Sequence, residues 1–269
     1  MKNTLKFLGA GGDAITVGKQ LLASGGLIIQ LEGNQFHIDP GPGALVKAKD
    51  FGVNLREHVA VMVSQNTLAH ANDINAVIYG MTHGGLDRFG VVVCTKALRQ
   101  KENKEGLLFE ESEKHVERVI LLDEVERISI NHITITPIKL KREGTGAIGF
   151  RFESPDNSIA YVSDTDYYEG LAAQCARPNV LIAWCRHPQG VTEKGTLSTD
   201  DIIDLVRKAK PKLCVLTGFG IKMLDSNVTE QARIIQRETK TAIAVAKQGL
   251  EIELDTYREK AKQTRLRQD

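Results

Sequence analysis

The chain has 269 residues, of which 42% are hydrophobic and 26% charged, a composition that excludes disordered and collagen-like classes. Lys and Arg number 35 against 34 Asp and Glu, so a formal charge of +1 exerts no global pull on nucleic acid or anionic lipid, and any polyanion must be held by a local patch. No stretch approaches the roughly 18 apolar residues of a membrane span, and Cys94, Cys175, Cys185 and Cys214 form neither a Cys-x-x-Cys pair nor a zinc-finger ladder, so the chain reads as cytoplasmic, with buried thiols and no membrane partner.

Period-two and continuous apolar runs predict strands at 4–8, 25–32 and 35–38, the last two joined by a Glu32-Gly33-Asn34 hairpin turn. A buried strand follows at 60–64, a helix over 71–81 headed by Asn72 and Asp73 as caps, and strands at 91–95, 119–122, 128–130, 133–140 and 148–153. Further strands are predicted at 158–163 and 180–184. Ser198-Thr199-Asp200-Asp201 caps a helix to about residue 208, a strand spans 213–217, and Asn227 starts a helix to about residue 239. Segments 241–245 and 249–253 read as a closing hairpin, and the polar tail over 256–269, with Arg258, Lys260, Lys262, Arg265 and Arg267, reads as a solvated end. Strands and helices interleave from end to end without a repeat or linker, which predicts one α/β domain of two layered sheets over 1–269.

The opening Gly9-Ala10-Gly11-Gly12-Asp13-Ala14 misses the phosphate-binding loop pattern. Five residues instead of four precede Gly18-Lys19, Gln20 replaces the magnesium-binding hydroxyl, and no helical stripe follows, so it reads as a structural turn. Phe36-His37-Ile38-Asp39-Pro40-Gly41-Pro42-Gly43 is an apolar strand ending in an acid and an abrupt turn; Asp39 there either orients a ligand at the sheet mouth or caps the turn. Of the histidines, His37 reads as a satisfied sheet residue, His83 as an exposed turn, and His187 as a loop or cleft residue. His58, His115 and His132 show no partner. No Gly-x-Ser-x-Gly elbow supports a Ser/His/Asp triad.

The glycine-rich first strand is followed in order by Ile38-Asp39-Pro40-Gly41-Pro42-Gly43, the strand–loop–helix from Val61 to Ile74, Gly149-Phe150-Arg151-Phe152, Val162-Ser163-Asp164-Thr165 and Leu216-Thr217-Gly218-Phe219-Gly220. Over nearly the whole chain this succession resembles the metallo-β-lactamase fold superfamily, near its tRNA 3′-processing, RNase Z-like branch. The resemblance implies a four-layer αβ/βα sandwich, two mixed sheets flanked by helices. It also implies His-x-His-x-Asp-His after the strand, whose positions here hold Gln65, Thr67, Ala69 and His70. The third family histidine corresponds to Arg142, the bridging aspartate to Asp164, the terminal histidine to Gly218 and a proton-transfer histidine to Thr196.

One metal site thus keeps Asp164 alone and the other His70 with Asp164, whereas zinc is held by three or four protein donors. Arg142 adds a fixed cation that repels a second one. The resemblance therefore implies a catalytically degenerate, metal-free pseudo-hydrolase, with zinc at low occupancy at most. In it, Asp39, Gln65, Asn66, Thr67, Arg142 and Thr217 would hold an anionic ligand, a nucleotide or RNA without cleaving it. Alternatively, Arg142 forms an internal salt bridge with Asp39 or Asp164, filling the space of the metals. Support of an active paralogue as an inactive subunit is a related reading, and a homodimer is implied by the branch. The rival is an RNase Z-like phosphodiesterase or nuclease that retains one metal at His70 and Asp164.

Overall fold

The computed structural model describes residues 2–99 and 106–258. Alternating apolar residues make β1 (Thr4–Phe7), β2 (Leu27–Leu31) and β3 (Asn34–Ile38), and the tight β2–β3 hairpin is closed by Glu32 and Gly33, both at positive φ. The strands β4 (His58–Met62), β5 (Val91–Cys94) and β6 (Arg118–Leu121) extend this sheet in parallel from β3. The second sheet takes β7 (Ile128–Ile130), β8 (Ile133–Lys139), β9 (Ile148–Glu153), β10 (Ser158–Val162), β11 (Val180–Trp184), β12 (Leu213–Thr217) and β13 (Ala242–Val245) in sequence order, and its strands from β10 onward are parallel.

The short strand β14 (Glu251–Glu253) pairs with β1, so the first sheet runs β14-β1-β2-β3-β4-β5-β6. This corrects the closing hairpin: β13 and β14 belong to different sheets. Gly249, at positive φ and hydrogen-bonded to the Phe7 carbonyl, carries the chain across.

Helices α2 (Ala44–Asp50), α4 (Ile74–Met81) and α5 (Glu110–His115) cover the first sheet, and α6 (Leu171–Gln174), α7 (Thr199–Ala209) and α9 (Val228–Thr239) the second, with the short α8 (Ile221–Asp225) following β12. Two mixed sheets of seven strands with helices outside are the predicted sandwich. The predicted caps are present on α7, where Ser198 and Asp201 form a reciprocal capping box, and on α9, where Asn227 accepts from Thr229 and Glu230.

The helix predicted over 71–81 is two helices, α3 (Leu68–Ala71) and α4, broken at Asn72-Asp73. Asp73 starts α4, yet its carboxylate accepts from the amides of Gly43 and Leu45 at the head of α2. A one-turn helix, α1 (Ala14–Gly18), also follows the glycine loop where no helix is predicted, capped by Asp13 on the amide of Thr16. Among the described residues no helix is long and apolar enough to cross a membrane. Of the basic tail, 259–269 lies outside the described residues; Arg258 pairs with Asp255.

Burial between the sheets sets the strand faces. Phe36 and Ile38 point inward, with Phe36 meeting Phe152 of the opposite sheet edge-on at 5.4 Å. The outward His37 donates its Nε2–H to the carbonyl of Gly25 at 3.0 Å, since a carbonyl oxygen can only accept. His58, expected to have no partner, lies 2.6 Å from the Gln35 amide and packs against His37. Burial pushes the His37 pKa down to about 4 and that of His58 well below its ordinary value.

Candidate functional site

Four parallel strands in each sheet bring the loops at their carboxyl ends together, the usual site position in open α/β sheets. Asp39 follows β3, Ser64 and Gln65 follow β4, Asp164 follows β10, Arg186 follows β11 and Gly218 follows β12.

Asp39 sits beneath the cleft rather than on its wall. It is fully buried and holds a left-handed φ of 53°. Oδ1 accepts from the Ser64 amide at 2.6 Å; Oδ2 accepts from the Ser64 hydroxyl at 2.7 Å and the Tyr161 hydroxyl at 2.5 Å. Trp184 Nε1 in turn donates to Tyr161 Oη at 2.8 Å. Asp39 thus ties β3 and β4 to the opposite sheet. Burial pushes its pKa up to about 7, against the hydrogen bonds from Tyr161 and Ser64 and with a further upward push from Asp164.

A pKa raised from 3.8 to about 7 means that the native state binds more protons across this window than the unfolded chain, so the Asp39 contribution falls as pH rises from about 4 to 7. His37, held down to about 4, works in the opposite sense, its contribution being lost as pH falls below 6.5. The difference between wild type and Asp39→Asn isolates the carboxyl, since Asn tolerates left-handed φ. Urea unfolding across this window is expected to show the variant gaining on wild type by up to about 1.4 kcal/mol per pH unit. A constant difference would contradict a buried, proton-binding Asp39.

Above this layer, Asp164 is fully buried and is claimed by two arginines. Arg186 gives Nε to Oδ1 at 3.2 Å and Nη2 to Oδ2, while Arg142 gives Nη1 to Oδ2 and, at 3.2 Å, to Gln65 Oε1. Gln65 is fixed in turn by donating to Ser163 Oγ at 2.9 Å and the Asp164 carbonyl at 2.7 Å. Of the two partners proposed for Arg142 from the sequence, Asp164 is the one it takes.

His70, on α3, is fully buried, with Nδ1 2.7 Å from the Thr67 hydroxyl, its ring stacked on Trp184 at 4.2 Å and 18°, and Nε2 without a partner among the described residues. Burial, then Arg186 and Arg142, hold its pKa well below the ordinary value, so the imidazole is neutral. The Arg186 guanidinium carbon lies 5.6 Å from the Trp184 ring centroid.

A cleft of about 540 Å3 opens over this floor. Thr67, His70, Arg142, Asp164 and Arg186 lie at its base beside Asp13, whose carboxylate accepts from the amides of Thr16 and Ile221. Of the other residues singled out in the sequence, Asn66 is turned aside, its side-chain oxygen accepting from the Leu107 amide and its backbone N–H donating to the Thr145 carbonyl. Thr217 is buried at the end of β12, off the cleft wall. Thr196 is buried and its hydroxyl donates to the Glu193 carbonyl. His187 lies outside the cleft, 3.4 Å from Glu193.

Arg186 is the residue that sequence reading missed. Its signal was position: it stands two residues past the all-apolar Val180–Trp184, at the carboxyl end of a parallel strand.

These side chains do not fit a metal centre. Among the described residues no group of three or more His, Cys, Asp or Glu is arranged to hold a metal ion. Both oxygens of Asp164 already face guanidinium donors, and two fixed positive charges stand where a dication would need to approach. Gly218, to which the resemblance assigns the terminal ligand, has a φ of 68°, and a Cβ there would lie 2.3 Å from the Trp184 ring.

The sequence model of the family described as "Beta-lactamase superfamily domain" matches residues 34–219, which span β3 through β12 and include Thr67, His70, Arg142, Asp164 and Arg186. The chain belongs to this superfamily. The fold likeness extends further than the matched segment: the structure of the metallo-β-lactamase fold protein YhfI from Bacillus subtilis is 17% identical, with a TM-score of 0.76, covering 94% of this chain and 100% of that one. Human tRNase Z, short form, is 12% identical with a TM-score of 0.67, covering 93% and 99%. In sequence the chain is 26% identical over 257 residues to the uncharacterized protein MJ1374 of Methanocaldococcus jannaschii, which covers 94% of this chain and 96% of the relative.

Proposed function

We propose that this member of the superfamily binds an oxyanion-bearing ligand in its cleft and does not hydrolyse it. The carrying observation is the double capture of Asp164 by Arg142 and Arg186. It takes the carboxylate away from metal coordination and leaves two cations against one buried anion. Arg142 is the recognition group, because its side chain is 26% exposed and its Nε and Nη2 have no hydrogen-bond partner among the described residues. A guanidinium edge of this kind matches carboxylate or phosphate oxygens. Arg186, 7% exposed, orients Asp164 from below.

Elemental analysis of the purified protein together with calorimetric titration of inorganic phosphate tests the reading. The expected result is substoichiometric metal and phosphate binding that Arg142→Gln weakens by roughly 10- to 100-fold, the loss of a charge-assisted hydrogen bond of about 1.5–3 kcal/mol. Stoichiometric zinc that Asp164→Asn removes would overturn it, and so would phosphate binding indifferent to Arg142.

A further inference from the structure

We infer that the ligand is an amphiphile: a carboxylate or phosphate-monoester head on an aliphatic body. This rests on the oxyanion reading above and adds the chemistry of the rest of the molecule. The cleft is two-sided. Its base carries the arginines, the neutral His70 with an unpartnered Nε2, and the Thr67 hydroxyl, whereas Ala14, Val17, Pro42, Leu68 and Ala69 give most of the remaining wall an aliphatic surface, interrupted by Gln20 and Asn72. The volume of about 540 Å3 lies within the range of small-molecule sites and exceeds what a bare anion fills.

Leu68 of this wall is 62% exposed on α3, and Ile15, next in sequence to the lining residue Ala14 on α1, is 50% exposed. The wall offers a base no ring to stack on. No Phe, Tyr or Trp lines the cleft among the described residues, and the face of Trp184 is covered by His70. A base would therefore meet aliphatic carbon in place of a stacking ring. An alkyl chain makes full use of that wall, since each methylene it removes from water tightens binding about fourfold.

The test is calorimetric titration of the full chain with methyl, butyl and hexyl phosphate, acetate, butanoate and hexanoate, hexanol and adenosine monophosphate. Affinity is expected to rise about fourfold per covered methylene along at least one charged series, the steeper or tighter one identifying the head. Leu68→Gln is expected to weaken the hexyl ligand about tenfold and leave methyl phosphate or acetate unchanged. Short anions that bind with no alkyl slope overturn the inference while the oxyanion site stands. Hexanol binding as tightly as the charged ligands overturns both, as does failure of every anion to bind. Adenosine monophosphate binding more tightly than hexyl phosphate overturns the aliphatic body alone.

Discussion

Asp164→Ala is expected to destabilise the protein by about 3–5 kcal/mol, because it strands charge rather than removing a contact. Arg186 is 7% exposed, and Asp164 is the carboxylate that receives both its Nε and Nη2. Arg142 is better placed to recover, being 26% exposed and still bonded to Gln65. Urea unfolding with a parallel thermal melt reads the loss, roughly 6–20 °C for a chain of this size. Adding Arg186→Met to Asp164→Ala separates an unpaired charge from a simple cavity. Removing the stranded guanidinium is expected to return most of the lost stability, since a buried ion group replaced by apolar atoms is close to neutral. A double variant as unstable as the sum of its parts would contradict this account of the floor.

The fold was legible because burial writes a period into sequence. Phe36 and Ile38 against His37, or the unbroken Val180–Trp184, declare their environment residue by residue. Turn and cap chemistry was equally local, as at Gly33, Ser198 and Asn227. What could not be read was pairing across distance. Segments 241–245 and 249–253 look like neighbours by spacing, but which sheet each joins depends on the open edges at β12 and β1.

The site divides in the same way. Matching residues to the family pattern located Gln65, Thr67, His70, Arg142 and Asp164 on or beside the floor. The same reading put Asp39, Asn66 and Thr217 with them, whereas Asp39 ties the sheets together, Asn66 faces the 107 and 145 segments, and Thr217 closes a strand. Arg186 escaped because no family ligand stands at its position to draw attention to it. Only the three-dimensional meeting with Asp164 gives it a role.

Gly218→His, which places a histidine where the resemblance puts the terminal donor, is expected to cost about 2–5 kcal/mol by itself. Two effects add. A side chain at a φ of 68° adopts the left-handed region at about 1–2 kcal/mol, and its Cβ would lie 2.3 Å from the Trp184 ring, an overpacking of about 1–3 kcal/mol. The ring cannot simply swing aside, because its indole N–H is bonded to Tyr161 and its face is stacked on His70. Trp184→Ala makes the room, so Gly218→His placed in that background is expected to cost only the backbone share, about 1–2 kcal/mol. Chemical denaturation of the two single variants and the double variant forms the cycle, and additivity would show that Trp184 is not the obstacle. The same geometry governs any attempt to introduce a metal centre. Combining Gln65→His, Thr67→His, Ala69→Asp, Arg142→His and Gly218→His supplies donors but leaves Trp184 over one and Arg186 on Asp164. Stoichiometric zinc, read by elemental analysis after dialysis, is expected only when Trp184→Ala and Arg186→Met are added; tight zinc with the five substitutions alone would show that neither side chain guards the site.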